Sequence, residues 1–387
     1  MNDVLAGFSR GSTAYRGGPS LTQRLLPNEP RIVNFKAQSV LTERYLLPVL
    51  ADLEAFFLAL RTSVNPALRQ CKPLKLGKPY PLGQCLEITQ AVQQKLYHAA
   101  AASAVNAAAT RGNKAYREFR KAGGTFRQVW GDLRGEFFQN AFQLGTLYID
   151  VANDTVTPSK PMVEILPFAE ADLVPIVDFR HFTHLASIYW QDRFYPNHAV
   201  PELAPGCPLI HVMRNGHIRL AEATHYMVAM TQSTAFCSSE EVLRDDVMPA
   251  DVFAHVVTNL AGTHWKLPQC AEQGRLAALR ACREQRAKKW HLSCEYASNT
   301  ITAALDINKR LVDGLSSHGL KDSQVIRIGD QDYNVADLSE NARRQVVNLR
   351  VTDQEIDQLH QRLAIFQTAR NAYERALSDE LPNKETH

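Results

Sequence analysis

Tyr80-Pro81-Leu82-Gly83-Gln84-Cys85-Leu86-Glu87-Ile88-Thr89 is the stretch on which the fold of this chain turns. A glycine and a glutamine lead into a cysteine, and a long helical run follows at once. A thiol at a helix start meets the positive end of the dipole and unpaired backbone N–H groups, both of which favour the reactive thiolate. Ile88, Val92 and Leu96 at helical spacing, then the alanine-rich run Ala99 to Ala109, predict a helix over Leu86–Thr110. Arg111 to Lys121 carries Arg111, Lys114, Arg117, Arg120 and Lys121, a pattern that reads as a solvated helix face, ended by Gly123-Gly124.

Beyond the glycines the character changes. Phe126–Leu133 and Glu136–Val151 are rich in aromatic and β-branched residues and predict strands joined at Arg134-Gly135. A turn at Leu144-Gly145-Thr146 splits the second stretch into Glu136–Gln143 and Leu147–Val151, and Val163–Leu166 adds a short strand. Helices followed by a meander predict an α+β fold, with helices packed on an antiparallel sheet.

Upstream, Met1 to Pro30 is rich in Gly, Ser, Pro and Arg and reads as a flexible arm. Ser39–Leu60 has a helical stripe with Pro48 inside it, a kink or restart, and Ser63–Pro81 reads as a proline-rich loop. Downstream, Asp172–Asp192 mixes strand and helix signals, and Tyr195–Pro208 reads as a loop. Leu209–Met213 and His217–Leu220 flank Arg214-Asn215-Gly216, a hairpin turn. Thr224–Thr231 is a strand or short helix, Ser238-Ser239-Glu240-Glu241 starts a helix, and Val252–Leu260 and Gly274–Asn308 are helical, with Asp306–Leu315 in the same register. Near the end, Val325–Ile328 and Asp332–Val335 form a small hairpin, Asp337 opens a helix, and Asp353–Leu377 carries a near-heptad seam broken by Arg370. The expected division is an arm over 1–32, an α+β core over 33–235, a helical region over 236–322, and a hairpin with two helices over 323–387.

The chain is 45% hydrophobic and 21% charged with a net charge of +3, ordinary for a globular protein and without the strong basic excess of a nucleic-acid binder. No apolar run is long enough for a membrane span, and the N-terminus lacks the apolar region of a secretory signal. Seven scattered cysteines fit a reduced, cytoplasmic setting better than a disulfide framework. Gly123-Gly124 lacks the spacing of a nucleotide-binding loop, and no cofactor is expected.

The run Tyr333-Asn334-Val335-Ala336-Asp337-Leu338-Ser339-Glu340-Asn341-Ala342-Arg343, with Thr352-Asp353-Gln354-Glu355-Ile356 and Gln367-Thr368-Ala369-Arg370-Asn371-Ala372-Tyr373, resembles a small domain found at the C-terminus of many bacterial proteins. The likeness covers about the last sixty residues, within the small-domain range. It implies a bacterial origin and a modular appendage, and carries no known activity. The Gly83-Gln84-Cys85 step, helix and strands resemble the papain-like and transglutaminase-like cysteine enzymes. In those families the cysteine faces a histidine, which takes the thiol proton, and an acid or amide that holds the histidine's tautomer. By that likeness Cys85 is the nucleophile and Asp150 the acid. The strand Glu136–Gln143 contains no histidine, however; Gln139 and Asn140 occupy the neighbourhood, and His211 and His217 on the hairpin arms are the candidate bases.

Two functions follow as expectations. One is thiol-dependent amide hydrolysis or acyl transfer at Cys85. The other is a degenerate pseudoenzyme, an adaptor that binds a protein or peptide partner. Two groups of residues carry metal-type ligands: His181 and His184 with His198, and Cys270, Cys282, His291 and Cys294. Neither has convincing ligand spacing, so no metal is expected. Oligomeric state is not legible in the sequence.

Overall fold

The computed structural model describes residues 25–75, 78–98, 106–213 and 216–318, the strands of a hairpin at 325–328 and 331–334, and a few isolated residues beyond. In chain order the elements are α1 (Phe35–Tyr45), α2 (Leu50–Cys71), β1 (Leu74–Lys75), β2 (Lys78–Pro79), α3 (Cys85–His98), α4 (Ala107–Lys121), β3 (Phe126–Leu133), β4 (Phe137–Leu144), β5 (Leu147–Asp150), β6 (Glu164–Pro167), β7 (Leu173–Val174), α5 (Phe179–Tyr189), β8 (Arg193–Pro196), β9 (Leu209–Val212), β10 (Ile218–Leu220), α6 (His225–Ser233), α7 (Cys237–Leu243), α8 (Ala250–Asn259), α9 (Ala271–Ala287), α10 (Tyr296–His318), β11 (Val325–Ile328) and β12 (Gln331–Asn334). The fold is α+β, with helices on an antiparallel five-stranded sheet of order β6-β5-β4-β3-β7.

The sheet is covered on both faces, so every residue of β4 is buried. Successive strand residues point to opposite faces. Phe126, Phe142, Leu144, Leu147 and Ile149 meet Phe56 and Phe57 of α2, Ile88 and Val92 of α3, and Phe119 of α4. Val129, Leu133, Phe137, Ala141 and Tyr148 point the other way, onto Phe168, Ala171 and Leu173. Helices α2 and α4 lie close because α4 carries Gly112, where a Cβ would come within 2.1 Å of the Asp52 carbonyl oxygen.

The sequence places the sheet strands to within a residue or two; β7, two residues long, carries too little alternation to be read. Helix ends differ more. Pro48 does end α1, through a 3-10 turn at Leu47–Val49, but α2 runs on through Pro66 to Cys71, where a loop is expected. A single proline removes one helical N–H, and the buried stripe Leu53, Phe56, Phe57, Leu60 and Val64 outweighs that loss. The expected helix Leu86–Thr110 is two elements. Asn106 caps α4 by accepting the Ala109 N–H at 2.7 Å, so the second begins before Arg111. Likewise Gly274–Asn308 divides at Lys289, which is left-handed. Thr224–Thr231 is helical, with Thr224 as the cap of α6.

A second sheet, β10-β9-β8, is antiparallel and pairs Ile218 with Val212. Ile210 and Val212 share a core with Val252, Val256 and Ile307, and Val228 and Phe236 share one with Cys282 and Ile301. The helices after residue 236 thus pack on the second sheet, and the expected boundary at 235/236 runs through shared cores. The hairpin β11–β12 is antiparallel, with Ile328 opposite Gln331. The expected helix over Asp353–Leu377 and its seam lie outside the described residues. Among those residues, no helix is long and apolar enough to cross a membrane.

Candidate site around Cys85

Cys85 is the first residue of α3. The loop before it is tied down at several points. The Gly83 N–H donates to Thr155 O at 2.9 Å, and Gln84, fully buried, donates its amide to Lys72 O at 2.9 Å. Gly83 holds φ +71, a left-handed conformation in which glycine has no steric cost. Behind the loop Arg61, buried in α2, pairs with Asp154 at 3.2 Å and donates to the Tyr80 hydroxyl at 2.9 Å; that hydroxyl donates to Asn65 at 2.7 Å. Arg61 thus holds the presenting loop directly at Tyr80, and its partner Asp154 lies in the turn whose Thr155 carbonyl holds Gly83.

The half-buried Cys85 thiol faces the sheet. Asn140 of β4 donates its side-chain amide to the Cys85 sulfur at 3.7 Å, and its Oδ1 accepts from Gln128 Nε2 of β3 at 2.9 Å. Thr89, one turn into α3, donates to the Asn140 carbonyl at 3.1 Å, which fixes the helix over that strand position. The position at the helix start predicts a depressed thiol pKa. Instead burial pushes the Cys85 thiol up; Lys75 and the Asn140 hydrogen bond oppose this without reversing it.

Gln139 and Asp150 belong to the other face. Asp150, opposite Glu164 and one residue beyond Ile149, points with Tyr148 away from the helices. It accepts from Gln139 Nε2 at 2.6 Å, from the Tyr148 hydroxyl at 3.0 Å and from the Ala152 N–H at 2.7 Å. Burial raises its carboxyl to about 6. The expected placement of Asp150 as the acid beside Cys85 is therefore corrected. The strand carries it to the face that α3 does not cover, because Asn140 and Asp150 are of opposite parity across the β4–β5 register.

His211 is buried on β9 in a polar network of its own. Arg219 Nε donates to its Nδ1 at 3.1 Å, so the ring proton sits on Nε2 and donates to Asp192 at 2.7 Å. Arg219 in turn pairs with Glu222 at 2.6 Å. Burial first, and Arg219 second, hold the imidazole below its ordinary pKa, so it is neutral. Its ring stacks on Phe194 at 4.4 Å and on Trp190 at 5.8 Å, and Trp190 lies 5.0 Å from Phe138. Aromatic rings thus occupy the route from β4 to His211, and both ring nitrogens are already used. The structure does not join it to Cys85. His217 is half-buried just before β10, its carbonyl accepting the Met213 N–H at 2.8 Å.

Sequence reasoning missed Gln128 and Arg61. Gln128 stands one strand away from Asn140, and only the β3–β4 register brings the two together. Arg61 falls on the buried stripe of a helix, where a cation is unexpected. Of the candidate metal-ligating histidines, His181 and His198 use ring nitrogens in hydrogen bonds, while His291 Nδ1 is buried without a partner. His181 Nε2 meets Asp132 at 2.8 Å, and His198 lies between Leu243 O at 3.1 Å and Met248 N at 3.3 Å. Cys282 is buried in α9, whereas Cys270 and Cys294 are exposed. Comparison with family models, with curated proteins and with solved structures finds no match.

Proposed function

We propose that the protein is a non-catalytic binding protein, its core retaining the outline of a cysteine enzyme without the thiol's base. The observation that carries this reading is the partner of Cys85. A carboxamide donates to the sulfur and has no lone pair basic enough to take its proton, and burial favours the neutral thiol. A surface suited to a partner lies on α1. That helix turns the polar Gln38 and Thr42 into the core and leaves Phe35, Val40 and, just beyond it, Leu47 exposed. Lys36 and Arg44 are exposed on the same helix. The fitting occupant is an amphipathic helix of a partner protein, with acidic residues flanking its apolar stripe.

The test has two arms. The first is the pH profile of iodoacetamide labelling at Cys85. A midpoint at or above that of an ordinary thiol supports the reading, and a midpoint near neutrality that moves on replacing His211 or His217 sinks it. The second is fluorescence anisotropy with a labelled helical peptide carrying leucines at heptad spacing and flanking glutamates. Saturable binding, lost in Val40→Asp and Leu47→Asp, supports the α1 surface; binding unchanged in both, or no binding, removes it. The hydrolase reading keeps one observation in its favour, the location of Cys85 in the first turn of α3, and the labelling arm decides it as well.

A further inference from the structure

Helix α9 buries one face and leaves the other bare. Ala271, Gly274, Ala278, Cys282 and Gln285 point into the protein. At Gly274 a Cβ would collide with the His198 carbonyl oxygen, so the helix lies hard against its neighbour. On the opposite side Leu276, Arg280, Arg283 and Ala287 are exposed. Their helical spacing sets them in one stripe, about 16 Å long.

The stripe runs on into a turn that is tied down. Lys289 is left-handed, with φ 58, and directs the chain into the 3-10 turn Trp290–Leu292. From α6, Gln232 Nε2 donates to the His291 carbonyl at 3.1 Å and to the Ser293 carbonyl at 3.0 Å. The His291 ring packs edge-on against Phe236, with centroids 6.0 Å apart. With His291 turned inward, its neighbours turn outward. Trp290 is 44% exposed and Leu292 72%, the highest of any large apolar side chain among the described residues. The anchored backbone thus keeps two apolar groups in water, and burying them against a partner is favourable.

The charges around this tip are basic and unpaired. Arg280, Arg283, Lys288 and Lys289 form no ion pair among the described residues, and Lys288 Nζ lies 5.2 Å from the centroid of the Trp290 ring. Glu272 is engaged by Arg275, and Glu240 by Arg244 and Arg286. Within residues 271–296 only Glu284 and Glu295 remain as exposed acids without an ion pair, against those four cations.

We propose that this face docks on an anionic phospholipid surface. The apolar body and indole N–H of a tryptophan suit the boundary between headgroups and acyl chains. Leu292, beside Trp290, enters the acyl side of that boundary. The cations meet the headgroup phosphates, and each contributes about fivefold to partitioning. Side chains as exposed as Trp290 and Leu292 project from the fold and line no groove, which suits a deformable bilayer better than a rigid partner helix. The contact is peripheral and needs no spanning helix. It is independent of Cys85 and of the α1 surface.

The test is cosedimentation of the intact chain with vesicles of phosphatidylcholine alone, and with vesicles of phosphatidylcholine mixed equally with phosphatidylglycerol. Binding is expected only with the mixed vesicles, and it falls in high salt. Trp290→Ala with Leu292→Ala abolishes it, and Arg280→Glu with Arg283→Glu weakens it about tenfold or more. A second readout places brominated acyl chains in the mixed vesicles. They quench the tryptophan emission of the native protein, and that quenching is lost in Trp290→Phe, which still binds. No binding to mixed vesicles, binding unchanged in both double variants, or quenching undiminished in Trp290→Phe overturns the proposal. Capture of soluble polyglutamate without vesicle binding assigns the face to an acidic protein and overturns it as well. Should a double variant fail to fold, the quenching in Trp290→Phe still decides.

Discussion

Asn140 donates its side-chain amide to the sulfur of Cys85 across 3.7 Å, from a strand position paired with Trp130. A hydrogen bond to sulfur favours the thiolate, so the amide moderates the effect of burial. Asn140→Leu removes that donor. Its labelling midpoint at Cys85 rises above that of the native protein, measured by iodoacetamide alkylation and peptide mass spectrometry. A midpoint unchanged or lowered by the substitution would show that the contact has no bearing on the thiol.

The Arg61–Asp154 pair is buried, with one guanidinium nitrogen, Nε, left unsatisfied. Arg61→Leu leaves Asp154 without its cation and costs about 3–5 kcal/mol in urea unfolding. Arg61→Leu with Asp154→Leu costs much less than the two single changes together, because neither charge is then stranded. Additive losses would mean that the pair does not act as a unit.

His198, His211 and His225 all have their pKa lowered, with burial the first cause in each. Their neutral forms are favoured by the fold, so their contribution is present above the ordinary histidine range and lost as pH falls through it toward their depressed folded values. Asp150 has the opposite sign over the neighbouring range. The urea midpoint of Asp150→Asn therefore falls more steeply on going from pH 7 to 5.5 than that of the native protein, where protonation of Asp150 offsets part of the loss. Parallel curves for the two proteins would contradict this.

Arg219 places its Nε–H on His211 Nδ1 and its charge beside the ring. Arg219→Gln removes that charge and raises the His211 pKa, which a proton NMR titration of the ring resonances detects. A downward or absent shift would mean that Arg219 does not help hold the imidazole neutral.

Much of the architecture is written locally. Aromatic and β-branched residues in Phe126–Leu133, the turn at Gly145 and the apolar stripe of α2 specify strand, hairpin and helix, because each is a short-range pattern. The Gly83-Gln84-Cys85 step likewise marks where α3 begins. Other ends were hidden: Asn106 reads as one polar residue near an alanine run until its side chain is seen capping α4.

Strand parity already put Gln139 and Asn140 on opposite faces. Which of them meets the thiol was decided by α3 docking on the face of Phe142, with Thr89 bonded to the Asn140 carbonyl. The partners of His211 and Arg61 were also tertiary outcomes. Asp192 and Arg219 for the one, Asp154 and Tyr80 for the other, are brought in by β-sheet register and loop packing. A side chain's protonation depends on burial and on charges a few ångströms away in space. Local sequence sets the elements; only their packing sets those distances, and so the thiol at Cys85 sits beside an amide while the acid at Asp150 faces away.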